Sequence, residues 1–254
     1  MIELRNLTLS YGDHTVLENC SGSIKRGSFT CVLGKNGCGK STLLKAMAGL
    51  LVPAKGNVLL KGAAMVGMYP ALRARMVAYF PQSRPLPQTD ALTMIRHGRF
   101  PHLGFSKILQ PADHAMIDRA VAFTDTETLL DKDIRQLSGG ERQRVYLAMM
   151  VAQDAEVLLL DEPATFLDVD YQLDIMRMIS KLNGDGKTVV MVAHDIAQAV
   201  SAATDILLVH DADIACGSRN EMIQSGLLER VFGVGVQQDT SSLYGYKLTG
   251  GSAV

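Results

Sequence analysis

The sequence predicts an α/β fold with a mostly parallel core sheet, an antiparallel β region at the N-terminus and an inserted helical segment. Three observations carry that expectation. Short apolar runs rich in β-branched residues recur at 29–33, 157–160, 188–193 and 206–209, separated by segments of helical period. Strands that are apolar on both faces belong to a parallel sheet covered by helices. The first 27 residues alternate instead, at Ile2, Leu4, Leu7 and Leu9, and break at Tyr11-Gly12-Asp13 before Val16-Leu17, the pattern of an antiparallel hairpin. Between Pro81 and Leu137 a proline-bearing loop leads into helical patterns at 89–99 and 114–123 with no strand between them, which marks the insertion.

Composition sets the outer bounds. The chain has 254 residues, 47% hydrophobic and 20% charged, with 8 prolines, which describes a globular protein rather than a disordered or repetitive one. Lys and Arg number 25 against 26 Asp and Glu, so the basic excess that marks a nucleic-acid partner is missing. No apolar run approaches the roughly 18 to 20 residues that span a bilayer, and a soluble chain is expected. With an acid at Glu3 and no apolar stretch behind it, the N-terminus is expected to carry neither signal peptide nor lipid. Cys20, Cys31, Cys38 and Cys216 show neither CxxC spacing nor a nearby His at ligand spacing, so reduced thiols in a cytoplasmic protein are expected. The tail beyond Ser241 is expected to be poorly ordered.

The strongest chemical signal is Gly34-Lys35-Asn36-Gly37-Cys38-Gly39-Lys40-Ser41-Thr42, which satisfies the G-x-x-x-x-G-K-[ST] pattern between the strand run 29–33 and a helix marked by Leu43, Leu44, Met47 and Leu50 at helical spacing. Its glycines let backbone N–H groups turn inward around an anion, and the helix that follows presents its positive end to the β- and γ-phosphates. Lys40 is expected to hold phosphate oxygens as a point charge and Ser41 to ligate Mg²⁺.

Downstream, the run 157–160 ends in Asp161-Glu162-Pro163. Two carboxylates at the end of a buried strand are costly unless they face a cation and water, and that edge of an α/β sheet is where ligands bind. Strand alternation would point the two side chains apart, leaving Asp161 to support the metal shell and Glu162 to orient or deprotonate water. Before them, Leu137-Ser138-Gly139-Gly140-Glu141-Arg142-Gln143 opens a helical run. Ser138 and Glu141 make a capping box, yet a cap does not require two glycines in the first turn, where each costs about 1 kcal/mol relative to Ala. Close approach of a phosphate to the backbone at Ser138, Gly139 and Gly140 accounts for them. Two phosphate-binding helix ends imply one nucleotide shared between them, within one chain or between two. His194, after the run 188–193, is a weaker candidate for hydrogen-bonding and sensing the γ-phosphate, and Gln82, after Pro81, stands at the entry to the helical insertion.

These motifs in this order resemble the nucleotide-binding subunits of ATP-binding-cassette (ABC) transporters, over nearly the whole chain. Tyr11 corresponds to the aromatic A-loop, Gly34 to Thr42 to Walker A, Gln82 to the Q-loop, Leu137 to Gln143 to the signature, 157–162 to Walker B, Phe166-Leu167-Asp168 to the D-loop and His194 to the H-loop. The resemblance implies a P-loop ABC ATPase using ATP and Mg²⁺ as a head-to-tail homodimer. The nucleotide would lie between Walker A of one copy and Ser138, Gly139, Gly140 and Glu141 of the other. Tyr11 would stack on adenine with Val16 beside it, Gln82 would contact metal or water, and Asp168 would communicate across the dimer. It also implies one domain in two parts, an ATP-binding core with its β-subdomain (1–83 and 152–254) and a helical signature subdomain (84–151). Partners would be membrane permease subunits and, indirectly, an extracytoplasmic binding protein, with the ATPase peripheral on the inner face of the cell membrane.

The segments Arg73 to Gln82, Gly98 to Gly104 and Ala164 to Val169 are similar to importer ATPases for iron-siderophore, haem and vitamin B12 uptake. The C-terminal regulatory extension of some sugar and methionine importers is not expected after His194, consistent with this branch. Lys35 stands where Pro is common in the family and Cys38 where Ala or Ser is common, and neither position supplies an essential side chain. The alternative within the same family is a non-transport ATPase such as an iron-sulfur scaffold-assembly subunit. A P-loop small-molecule kinase would leave Leu137 to Glu141 without a use.

Overall fold

A computed structural model describes residues 1–84, 86–104, 107–165, 167–193, 195–238 and 244–248. The chain opens with β1 (Ile2–Tyr11), β2 (His14–Ile24) and β3 (Phe29–Leu33), then α1 (Lys40–Met47), β4 (Lys55–Leu60) and β5 (Ala63–Ala64). Next come α2 (Pro70–Met76), β6 (Val77–Phe80), α3 (Ala91–His97), α4 (Pro111–Thr124), α5 (Gly139–Gln153), β7 (Val157–Asp161) and α6 (Val169–Gly184). The last stretch holds β8 (Thr188–Val192), α7 (Ile196–Ala202), β9 (Asp205–His210), β10 (Asp213–Ser218), α8 (Arg219–Gln224), α9 (Leu227–Phe232), β11 (Val234–Gln238) and β12 (Tyr244–Leu248). The elements fall into two units, Met1–Gly67 with Thr188–Val254, and Met68–Lys187.

In the first unit the expected N-terminal hairpin is present, with β1 antiparallel to β2 from Ile2 opposite Ile24 to Tyr11 opposite His14. On its other side β1 pairs antiparallel with β4. The step of three from Leu4 to Leu7 breaks strict alternation, yet Ile2, Leu4, Leu7 and Leu9 are all buried. A register shift between Leu4 and Leu7 supplies the extra residue that keeps them on one face. The second sheet of this unit is the expected buried one: β3 runs parallel to β8 and to β9, and β10 closes the edge antiparallel to β9. Every residue of β3 and of β8 is buried.

Helix α1 buries Leu43, Leu44 and Met47 as its period predicts. Leu50 does not continue that face: α1 ends at Met47, Gly49 turns the chain at φ 67°, and Leu50 is exposed. The tail departs from expectation in part, because β12 pairs antiparallel with β11 from Val234 opposite Leu248 to Gln238 opposite Tyr244. Residues 239–243 and 249–254 lie outside the described residues.

In the second unit β6 and β7 pair in parallel, Val77 with Val157 and Phe80 with Leu160. The expected helical patterns become α3 and α4. Asp90 caps α3 by accepting from the Thr93 N–H at 2.7 Å, and Gln110 and Asp113 form a capping box on α4. A buried ion pair ties these helices to α5: Arg99 Nε donates to Asp113 Oδ1 at 2.9 Å, and its Nη1 donates to the Ala152 carbonyl at 2.8 Å. Each side chain is 8% exposed. The Gln110 N–H, and then Arg99, hold the Asp113 carboxyl below the usual carboxylate range.

Helix α5 carries the predicted capping box of Ser138 and Glu141. Gly140, in its first turn, is buried beneath Tyr171 of α6, and a Cβ at Gly140 would come within 2.2 Å of that ring. This second glycine therefore answers to helix packing, a reason independent of any phosphate. Among the described residues no helix is long and apolar enough to cross a membrane.

Two stability predictions follow from this packing. Arg99→Ala leaves the Asp113 carboxylate buried without its cation and is expected to destabilise the fold by about 3–5 kcal/mol, read as a lower urea midpoint. Because the folded-state value of Asp113 is depressed, its contribution is present above its unfolded value and disappears as pH falls through the folded one; the Arg99→Ala variant should show a smaller loss of stability over that acid range. Gly140→Ala should cost about 1–3 kcal/mol through the clash with Tyr171, and in a Tyr171→Ala background the same change should become neutral or stabilising.

Candidate functional site

The predicted site residues fall on both units. In the first, β3 runs directly into the loop Gly34 to Gly39, and α1 begins at Lys40. Two of its glycines are required by close contacts: a Cβ at Gly34 would lie 2.5 Å from the Val209 carbonyl oxygen, and one at Gly39 would lie 2.5 Å from Val16 Cγ1. The loop is thus clamped between β9 and β2.

Lys40 is buried, and its Nζ donates to the carbonyls of Gly34 and Lys35, both at 2.9 Å. The ammonium is held across the mouth of the loop, pre-positioned as a point charge. Ser41 and Thr42 occupy the next positions of α1, where helix N–H groups have no intrahelical acceptor and the dipole is positive. No acid stands in that first turn to oppose an incoming anion. Lys35, Asn36 and Gly37 are exposed on the loop, Cys38 is half-buried, and Tyr11 is half-exposed at the end of β1.

In the second unit Asp161 ends β7 and is 2% exposed, with the Tyr79 hydroxyl donating to its Oδ2 at 3.3 Å. Glu162 corrects the sequence reading. It does not continue the strand with alternating orientation; it adopts a left-handed conformation at φ 53° immediately after it. The two carboxylates are separated by this turn. Gln82, just past β6, donates from Nε2 to Glu162 Oε2 at 2.7 Å, and the Thr165 hydroxyl donates to the same oxygen at 3.2 Å.

At the head of α5, Ser138 N–H donates to Glu141 Oε2 at 2.8 Å and the Glu141 N–H donates back to Ser138 Oγ at 3.2 Å. The Ser138 N–H holds the Glu141 carboxyl below its usual range, so Glu141 is anionic and committed to the cap. Ser138 and Gly139 are exposed, which leaves that helix end open to an anion. The Gln143 amide donates to the Pro163 carbonyl, joining the second turn of α5 to the segment after Glu162.

Within the second unit the fold brings Gln82 onto Glu162 and Tyr79 onto Asp161. Tyr79, Gln143 and Thr165 were not given roles from sequence: the pairing of β6 with β7 brings Tyr79 to Asp161, the approach of α5 brings Gln143 to the Pro163 carbonyl, and Thr165 reaches Glu162 through the local turn after β7. Asp168 is exposed at the head of α6. His194 and Phe166 lie outside the described residues.

Comparison with known proteins agrees with this assembly of motifs. The family described as ABC transporter matches residues 17–165. Petrobactin import ATP-binding protein FpuD of Bacillus anthracis is 36% identical over 97% of this chain and 92% of its own length. Ferric enterobactin transport ATP-binding protein FepC of Escherichia coli is 36% identical over 90% of this chain and 85% of its own. Among solved structures, the ATP-binding cassette MJ0796, a dimer in a post-hydrolysis state bound to ADP and Pi, superposes with a TM-score of 0.77 at 27% identity, covering 86% of this chain and 99% of that one. A family model that covers more than half of this sequence and relatives at 36% identity aligned over nearly all of it agree with the motifs the fold presents: the chain belongs to the ABC transporter family.

Proposed function

We propose that this chain is the ATP-hydrolysing subunit of an importer that takes up an iron-siderophore, haem or related metal chelate through a membrane permease. The relatives at 36% identity are named for petrobactin import and ferric enterobactin transport, and they align over nearly the whole chain. This favours an importer ATPase over an iron-sulfur scaffold-assembly subunit. The observation that carries the hydrolytic chemistry is the acid pair after β7, one carboxylate buried at the strand end and the next turned out of the strand and bonded to Gln82.

The donor set fits Mg²⁺, a hard cation that takes oxygen ligands and is held by one or two protein groups together with substrate phosphates. A hydroxyl at Ser41, the amide of Gln82 and the Asp161 carboxylate offer such oxygens. When bound, Mg²⁺ supplies neutralisation of charge on the β- and γ-phosphate oxygens.

The chain's own residues do the rest. Lys40 holds phosphate oxygens, and the N–H groups of Gly37, Gly39, Lys40, Ser41 and Thr42 bind the same anion, with Gly34, Lys35, Asn36 and Cys38, whose N–H donates to the Lys35 carbonyl at 3.3 Å, completing the loop. Tyr11 stacks on the base, beside Val16. Glu162 orients the attacking water or accepts its proton, Gln82 contacts water or metal, and His194 contacts the γ-phosphate. Ser138, Gly139 and Gly140, with Glu141 as the cap of their helix, present a second anion-binding end to the nucleotide of a partner copy. ATP binding joins two copies head to tail and hydrolysis separates them, which converts chemical free energy into motion of the permease. An extracytoplasmic binding protein delivers the chelate, and the ATPase works from the inner face of the membrane.

Lys40→Ala should abolish hydrolysis chiefly by weakening ATP binding, measured as a loss of nucleotide affinity in calorimetry; undiminished turnover would remove Lys40 from its assigned role. Glu162→Gln should bind ATP with wild-type affinity and hydrolyse it about 10²–10⁴ times more slowly, so that an ATP-bound dimer accumulates in size-exclusion chromatography. Tagged Glu162→Gln protein, solubilised from its own cells in mild detergent with ATP and Mg²⁺, should bring down a polytopic membrane protein in comparable amount. Recovery with soluble partners alone would withdraw the import claim and leave the site chemistry in place.

A further inference from the structure

One half-buried cation in the second unit has no part in the chemistry described so far. Arg84 lies two residues beyond Gln82, and its Nε donates to the Pro81 carbonyl at 3.1 Å, closing a turn around that glutamine. Its guanidinium carbon stands 3.3 Å from the centre of the Phe80 ring and 4.4 Å from that of Tyr146. Phe80 is the last residue of β6 and Tyr146 belongs to α5. One side chain therefore joins the strand that leads to Gln82 with the helix that begins at Gly139.

The arrangement is a poor device for stability. Burial lowers the guanidinium to about 10, still charged at neutral pH. Its Nη1 is buried without a hydrogen-bond acceptor among the described residues. The ring faces return part of the cost of burying the charge, but a leucine or methionine of similar bulk would fill the gap without incurring it. A charge kept under those terms serves the geometry of the loop.

That geometry leads to the hydrolytic carboxylate from two sides. Through Arg84 and Tyr146, α5 holds the turn that carries Gln82; through Gln143 on the Pro163 carbonyl, the same helix holds the segment after Glu162. Both partners of the 2.7 Å hydrogen bond between Gln82 and Glu162 are thus fastened to one rigid element. We propose that Arg84 is a positioning residue for ATP hydrolysis: stacked between Phe80 and Tyr146, it fixes the turn at 81–84 so that Gln82 stays in register with the Glu162 carboxylate. Arg84 acts through Gln82 and touches neither nucleotide nor reacting atoms. The inference rests on the reading of Glu162 as the hydrolytic carboxylate.

The test is a double-mutant cycle on the purified full chain, with steady-state hydrolysis measured in ATP and Mg²⁺. Arg84→Met should lower kcat about tenfold, the scale of a small misplacement near the reacting atoms, and leave the KM for ATP unchanged, because the phosphate loop is on the other unit. In a Gln82→Ala background, already slow, Arg84→Met should cause no further loss. Arg84→Lys keeps the charge but not the planar face and should not restore turnover. Tyr146→Leu keeps the bulk but not the ring and should reproduce the kcat defect, also silenced by Gln82→Ala; it answers the same question if Arg84→Met does not fold. An equal loss in both backgrounds, or a change confined to KM, would overturn the proposal. Failure of the underlying reading looks different: Glu162→Gln would then hydrolyse at the wild-type rate, whereas failure of the positioning role leaves Glu162→Gln inactive and Arg84→Met as fast as wild type.

Discussion

A carboxylate at the end of an all-apolar strand must be given partners or it destabilises the fold, and the second unit is organised around that demand. β7 is buried along its whole length and ends in Asp161. Tyr79, on the neighbouring strand, supplies a hydroxyl to the acid. The next residue cannot also be buried as a bare charge, and the chain turns there into a left-handed conformation that frees Glu162 from the strand. Gln82 and Thr165 then converge on one Glu162 oxygen. Two adjacent acids reach different environments because the backbone turns between them.

The complementary constraint is the positive end of a helix. α1 follows Gly39 and opens on Lys40, whereas α5 opens on Gly139 and Gly140, and the two helix starts are built differently. At α1 the loop is clamped by Val209 and Val16 and closed over by the buried Lys40. At α5 a reciprocal cap of Ser138 and Glu141 satisfies part of the helix end, and Gly140 is reserved for Tyr171. Glycine in these loops has two employments, conformational and steric, and only the three-dimensional neighbours tell them apart.

Much of this was legible in the residue order. Both-faces-apolar runs at 29–33 and 188–192 are wholly buried strands in parallel pairing, because burial on both faces removes alternation. The phosphate loop, the capping box and the acid pair are local patterns, set by the conformational needs of a few consecutive residues. Less legible were elements whose period is interrupted. The hairpin β1–β2 keeps its leucines inward only through a shift in register, α1 stops before Leu50, and β12 emerges from a tail that composition marks as poorly ordered.

What the sequence by itself determined is the set of local motifs: a phosphate loop, then a capped glycine helix start, then an acid pair, in an order that resembles the family, since each depends on neighbours along the chain. What only the tertiary structure decided is which side chain answers to which. Gln82 and Glu162 are 80 residues apart, Tyr79 and Asp161 are 82 apart, and Arg84 meets Tyr146 across the space between a strand end and a helix. Such pairings arise from the parallel packing of β6 on β7 and the approach of α5, and no local pattern along the chain encodes a contact whose partners are brought together only by folding.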